Sequence, residues 1–196
     1  MSQAYPDIIL RLPDWLHSAL PPAGQTYPDR EQRMALVIDL ARRNIRQGTG
    51  GPFAAAVFDL DRQLLLAPGL NLVIDNHCSV AHAEMMALML AQQLAGSHDL
   101  GAPTLPRCEL VSTTEPCAMC LGALPWSGIV SLVCGTRDED ARSIGFDEGD
   151  KPADWPAALQ RRGIEVHRDV FRQQALALLQ EYRQLGGPIY NGRHGS

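Results

Sequence analysis

Apolar positions along this chain follow two periods that alternate from Asp29 onward. Met34, Val37, Ile38, Ala41 and Ile45 share one face of a helix that begins after Asp29 and stops at Gly48. Residues 53–58 form a continuous apolar run of strand length, and 64–73 read as a second strand bent by Pro68-Gly69. Ser79 suits the cap of a helix reaching about Leu94, and 108–113 read as a strand. Pro116 fits the first turn of a helix to about Leu124, followed by a strand at 129–134. Residues 138–154 are acidic and turn-rich, with Gly145, Gly149 and Pro152. A short helix at 153–162 and a fifth strand at 164–167 come next. Phe171, Ala175, Leu178, Leu179, Tyr182 and Leu185 then mark a last amphipathic helix, which Gly186-Gly187-Pro188 ends, leaving Ile189-Tyr190-Asn191 as a tail.

Residues 1–28 hold five prolines and no period, which predicts an N-terminal arm laid over the domain with one short helix near 14–20. Residues 29–196 then form a single domain. Helices alternating with five strands predict a three-layer α/β/α sandwich. The hairpin-like pairing of 53–58 with 64–73 makes the sheet mixed rather than all parallel.

Composition narrows the function classes. With 196 residues, 45% hydrophobic and 20% charged, the chain is an ordinary one-domain globule rather than a disordered one. Lys and Arg number 17 against 22 Asp and Glu, a net charge of −5, which counts against a non-specific nucleic-acid binder. The segment 137–154 carries seven acids to three bases and repels phosphate. The six arginines of 161–196 read as a solvated helix face, with Glu165 and Asp169 beside Arg161 and Arg168. Five cysteines, an odd number at 78, 108, 117, 120 and 134, point to a reduced, cytoplasmic compartment. No signal-peptide pattern opens the chain, and no apolar run is long enough for a membrane partner.

The chemistry concentrates in two short motifs, His82-Ala83-Glu84 and Pro116-Cys117-Ala118-Met119-Cys120. Cys117 and Cys120 stand three apart in a first helical turn, where unpaired N–H groups favour thiolates. His82 lies at another helix start. One imidazole and two thiolates suit a single zinc ion and leave its fourth position for water. A closed structural site completed by His77, Cys78, His98 or Cys134 and a redox Cys-x-x-Cys are the alternatives, and neither explains Glu84. Glu84 is two residues from a ligand and reaches beside the metal instead. His-x-Glu followed by Pro-Cys-x-x-Cys is the signature of zinc deaminases. There the metal acidifies a water, and the glutamate carries its proton to the ring nitrogen and the departing amine.

On these motifs the chain resembles the cytidine-deaminase superfamily of zinc hydrolases and, within it, the bacterial guanine deaminases. The resemblance extends to Gly51-Pro52-Phe53-Ala54-Ala55-Ala56-Val57, Asn71, Glu115, Trp126 and Ile144-Gly145-Phe146-Asp147-Glu148-Gly149. It implies hydrolysis of guanine to xanthine and ammonia, one zinc per chain, a homodimer, and a second catalytic acid at Glu148. The tail Ile189-Tyr190-Asn191 looks like that of a type that also accepts ammeline. Substrate contacts are expected at Asn71, Phe53, His82, Ala83, Trp126 and Phe146. The amide of Asn71 offers a donor and an acceptor to a base edge, and Phe146, with little local apolar company, is placed to cover a planar ring.

Deamination of another small base or nucleoside, such as cytosine or guanosine, is the nearest alternative. A tRNA adenosine deaminase is disfavoured by the net charge, the acidic loop and the Gly-Phe-Asp-Glu segment. A non-catalytic zinc-bearing interaction module is disfavoured by Glu84.

Overall fold

A computed structural model describes residues 7–192. The first six residues of the expected arm and the last four of the chain, His194 among them, lie outside the described residues.

The arm runs from residue 7 without regular structure except α1 (Trp15–Ala19), which buries Leu16 against the domain. The domain then follows as α2 (Arg30–Arg46), β1 (Ala54–Asp59), β2 (Leu64–Leu70), α3 (Ala83–Ala95), β3 (Cys108–Thr114), α4 (Ala118–Ser127), β4 (Ser131–Thr136), α5 (Asp138–Ser143), α6 (Trp155–Gln160), β5 (Glu165–His167) and α7 (Arg172–Gln184). The five strands form one sheet in the order β2-β1-β3-β4-β5. β1 is antiparallel to both β2 and β3, whereas β3, β4 and β5 are parallel. The mixed sheet and the three layers expected from the alternating periods are both present.

Strand alternation sorts side chains between the two layers. Ala54, Ala56, Phe58, Val111 and Val133 pack with α2 and α7, while Ala55, Val57, Leu110, Leu132 and Cys134 pack with α3, α4 and α6. The Asp29 carboxylate caps α2 by accepting from the Gln32 N–H at 2.8 Å, where the apolar period begins.

Three boundaries differ from the sequence reading, each for a local reason. β2 ends at Leu70, opposite Ala54, so Asn71 stands just beyond the sheet. Ser79 does not cap α3. The chain turns through 72–82, and His82 is the residue in extended backbone at the N-cap. The acidic segment after β4 is helical at α5. There Asp140 returns its carboxylate to the Arg137 N–H at 2.8 Å, so clustered acids sit where the helix dipole favours them.

β2 and β3 are both antiparallel to β1, so they run the same way and end at one edge of the sheet. α3 and α4 follow them, and their N-termini therefore face that edge together. Gly69 permits the close seating of α3. A Cβ there would lie 2.1 Å from the Ala83 carbonyl oxygen and 2.5 Å from the Ala87 nitrogen.

Candidate active site

His82 is the N-cap of α3 and Cys117 the N-cap of α4, with Cys120 one turn further on. The imidazole Nδ1 lies 3.5 Å from the Cys117 Sγ and 3.7 Å from the Cys120 Sγ. The three ligand atoms all fall within 4.8 Å of one another. Tetrahedral zinc with ordinary Zn–N and Zn–S bonds places nitrogen and sulfur about 3.6 Å apart, so the spacing fits that ion. The thiols fit it chemically as well. A hydrogen bond from Cys120, helped by the nearby His82 ring, holds the Cys117 thiol down to about 4. The same hydrogen bond, reinforced by burial, raises Cys120. A thiol pair of which one member ionises readily beside an imidazole is prepared for a soft divalent cation. Among the described residues no fourth His, Cys, Asp or Glu joins the cluster.

His82 and Cys117 of the cluster line a cavity of about 190 Å³. That is well below the roughly 300–1,000 Å³ of pockets for drug-sized ligands, and it suits a single small ring system. Glu84 and Glu148 both line it, each only 6% exposed. Burial is the first cause that raises both carboxyls, and the Cys117 charge is the second. Glu148 is pushed up to about 8. Two poorly solvated carboxyls beside a metal-ligand set are equipped to hold and pass protons near neutral pH.

Asn71 and Phe53 line the same cavity. Phe146 does too, but its surroundings correct the sequence reading. It is buried, edge-on to Phe53 at 4.9 Å between centroids, stacked on Tyr182 at 6.1 Å and tilted against Tyr190 at 5.1 Å. The apolar company missing locally comes from α7 and the tail.

Ala83 and Trp126 are not among the lining residues. Ala83 is fully buried in the layer between α3 and the sheet. Trp126 stands 80% exposed on α4. It follows Cys117 by nine residues, which turns it about half a revolution away and carries it about 13 Å along the axis.

Sequence reasoning missed several lining residues, including Ser79, Thr114, Tyr190 and Asn191. The tail is held across the Glu148 segment: the Asp147 N–H donates to Asn191 Oδ1 and Asn191 Nδ2 donates to the Gly145 carbonyl, both at 2.8 Å. Glu115 is another, 2% exposed, with its carboxylate taken by Arg168 and by the Asp138 N–H at 3.2 Å. Two of the basic C-terminal residues are engaged between elements, Arg172 with Asp140 and Arg168 with Glu115, while Arg161, Arg162 and Arg183 are exposed.

Comparison with known proteins bears on this geometry. Residues 28–136 match the family model described as the cytidine and deoxycytidylate deaminase zinc-binding region. The guanine deaminase of Bacillus subtilis (strain 168) is 33% identical over 132 residues, which span 64% of this chain and 80% of that protein. A structure of the guanine deaminase from Nitrosomonas europaea is 46% identical, with a TM-score of 0.86, covering 92% of this chain and all of that one. A solved complex with 2,6-diaminopurine is 47% identical, with a TM-score of 0.88, covering 95% and 98% of the two chains.

Proposed function

This chain belongs to the cytidine and deoxycytidylate deaminase family, and we propose that within it the chain hydrolyses guanine to xanthine and ammonia, with ammeline as a side substrate. One observation carries the reading. One base-sized cavity is lined by Glu84, Glu148, Asn71 and Phe53 together with His82 and Cys117, whose ligand atoms cluster with that of Cys120. The similarity to guanine deaminases supports the choice of base.

His82, Cys117 and Cys120 would hold a zinc ion, which would acidify a bound water and make it available as a nucleophile at neutral pH. Glu84 accepts one proton from the water as its oxygen bonds to C2 and delivers it to the ring nitrogen; it then takes the remaining hydroxyl proton and passes it to the amine, so that the C2–N bond breaks, the C2 carbonyl of xanthine forms and ammonia leaves. Burial suits it to this role, since it raises the carboxyl above its ordinary value and so favours the protonated form it must pass through. Glu148 accepts the ring N–H donors of guanine and shares proton delivery. Asn71 pairs with the base edge through its donor and acceptor. Phe53 and Phe146, edge to face at 4.9 Å, form one apolar wall beside the ring and exclude water. The choice of an asparagine and a glutamate for replacement in solved relatives bound to 8-azaguanine is in keeping with these roles.

The chain acts as a homodimer, for which exposed Trp126 and Leu94 offer apolar surface. None of the five cysteines is paired, in keeping with a cytoplasmic location, and no helix among the described residues is long and apolar enough to cross a membrane. Ammonia release from guanine, ammeline, guanosine, cytosine, adenosine and an RNA stem-loop tests the substrate. Guanine is expected to give the highest specificity constant, and a value for cytosine or adenosine equal to that for guanine overturns the reading.

A further inference from the structure

Asn44, near the end of α2, is completely buried and lies behind the substrate face rather than on it. Its Nδ2 donates to the Gly51 carbonyl at 3.0 Å and to the Asn71 carbonyl at 3.1 Å. Its Oδ1 accepts from the Thr49 hydroxyl at 2.7 Å. The Thr49 hydroxyl in turn accepts from the Trp15 indole N–H at 3.1 Å. Every direction in this relay is fixed. An indole only donates, so the single hydroxyl proton of Thr49 is left for Asn44, and the other end of the amide must then be the NH2 group. Asn71 needs such an anchor because the β1–β2 ladder stops at Leu70. Beyond the ladder, its N–H reaches the Phe53 carbonyl at 3.0 Å, and without Asn44 its own carbonyl would keep only a 3.3 Å bond from the Gly51 N–H. The chain passes so close here that a Cβ on Gly50 would lie 2.0 Å from the Asn71 carbonyl oxygen and 2.7 Å from Asn44 Nδ2.

We propose that Asn44 is a positioning residue, aimed by Thr49 and by Trp15 of the N-terminal arm, that sets the two backbone strands from which Phe53 and Asn71 face the substrate. This inference rests on the reading of Asn71 as a substrate contact. It assigns the arm a part in substrate affinity, because Trp15 lies in α1 while the substrate contacts it serves, Phe53 and Asn71, come 38 and 56 residues later.

The test combines Thr49→Val, Thr49→Ser, Asn44→Ala and Asn71→Ala, with zinc content, thermal melting and guanine kinetics for each. Misaiming a ground-state contact raises KM and spares kcat. Thr49→Val and Asn44→Ala are expected to raise KM about tenfold, the scale of one lost hydrogen bond, with kcat within about twofold and zinc unchanged. Thr49→Ser, which keeps the hydroxyl, restores the wild-type KM. In the Asn71→Ala background, Thr49→Val raises KM by less than it does alone, since only Phe53 remains to be aimed. Should Asn44→Ala fail to fold, Thr49→Val and Thr49→Ser carry the test alone. An unchanged KM in Thr49→Val, or a full additive loss in the double variant, overturns the inference. If Asn71→Ala itself leaves KM unchanged, the reading of Asn71 falls and the inference with it. If Asn71→Ala raises KM and Thr49→Val does not, only the inference falls.

Discussion

The Ala118 N–H donates to the Glu148 carbonyl at 2.8 Å. The residue next to Cys117 therefore fixes the backbone that carries the second carboxyl of the cavity. This bond occupies one of the N–H groups that a helix start leaves without an internal partner. Lys151 secures the same junction, donating to the Pro116 carbonyl at 2.9 Å and pairing with Asp138 at 3.1 Å. Glu148 is thus set by the metal-side helix and not by its own loop alone, which separates it from the other acids of the segment.

That separation predicts unequal losses across the acidic segment. Glu148→Ala is expected to keep zinc and thermal stability and to lose most guanine turnover. Asp147→Ala and Glu139→Ala, at side chains more than half exposed, lose less. Steady-state kinetics of the three variants checks this, and equal activities would return Glu148 to the solvated acids.

Zinc content follows from the ligand geometry. Elemental analysis of metal-replete protein is expected to give one zinc per chain, and Cys120→Ala is expected to lose it together with all turnover. Removing one ligand of three leaves too few to hold the ion against water. Well under one zinc in the wild type would refute the ligand set.

Acid stability has its own signature at Asp140. Burial raises this carboxyl, but the Arg172 guanidinium, at 2.9 and 3.0 Å, and the Arg137 N–H outweigh burial and hold it below its ordinary 3.8. A carboxyl lowered in the folded state contributes stability above its unfolded value and loses it as pH falls through the folded one. Asp140→Asn is therefore expected to cost about 1–3 kcal/mol at neutral pH, with the difference from wild type shrinking below about pH 3.8. Denaturant unfolding of both proteins across pH 3–7 measures it, and a difference independent of pH would contradict it.

What the sequence made legible was local. Cys117 and Cys120 share a helical face by spacing alone, and the strands read at 53–58 and 108–113 are present as β1 and β3. Phe146 was judged solitary because its neighbours Tyr182 and Tyr190 arrive from α7 and the tail. Asn191 meets Asp147 across 44 residues, and Asn44 meets Asn71 across 27, separations no local pattern encodes. The start of α3 slipped from Ser79 to His82 because a plausible capping side chain lay in a loop that keeps turning.

The central claim is that Glu84 moves the protons of guanine hydrolysis without serving as a ligand. It is tested most directly by comparing wild type with Glu84→Gln at equal zinc content, following xanthine and ammonia together. The account predicts one ammonia per xanthine from the wild type, and a fall of about 10²–10⁴-fold in Glu84→Gln with zinc and melting temperature retained. Near-native turnover by Glu84→Gln carrying its full zinc would contradict it.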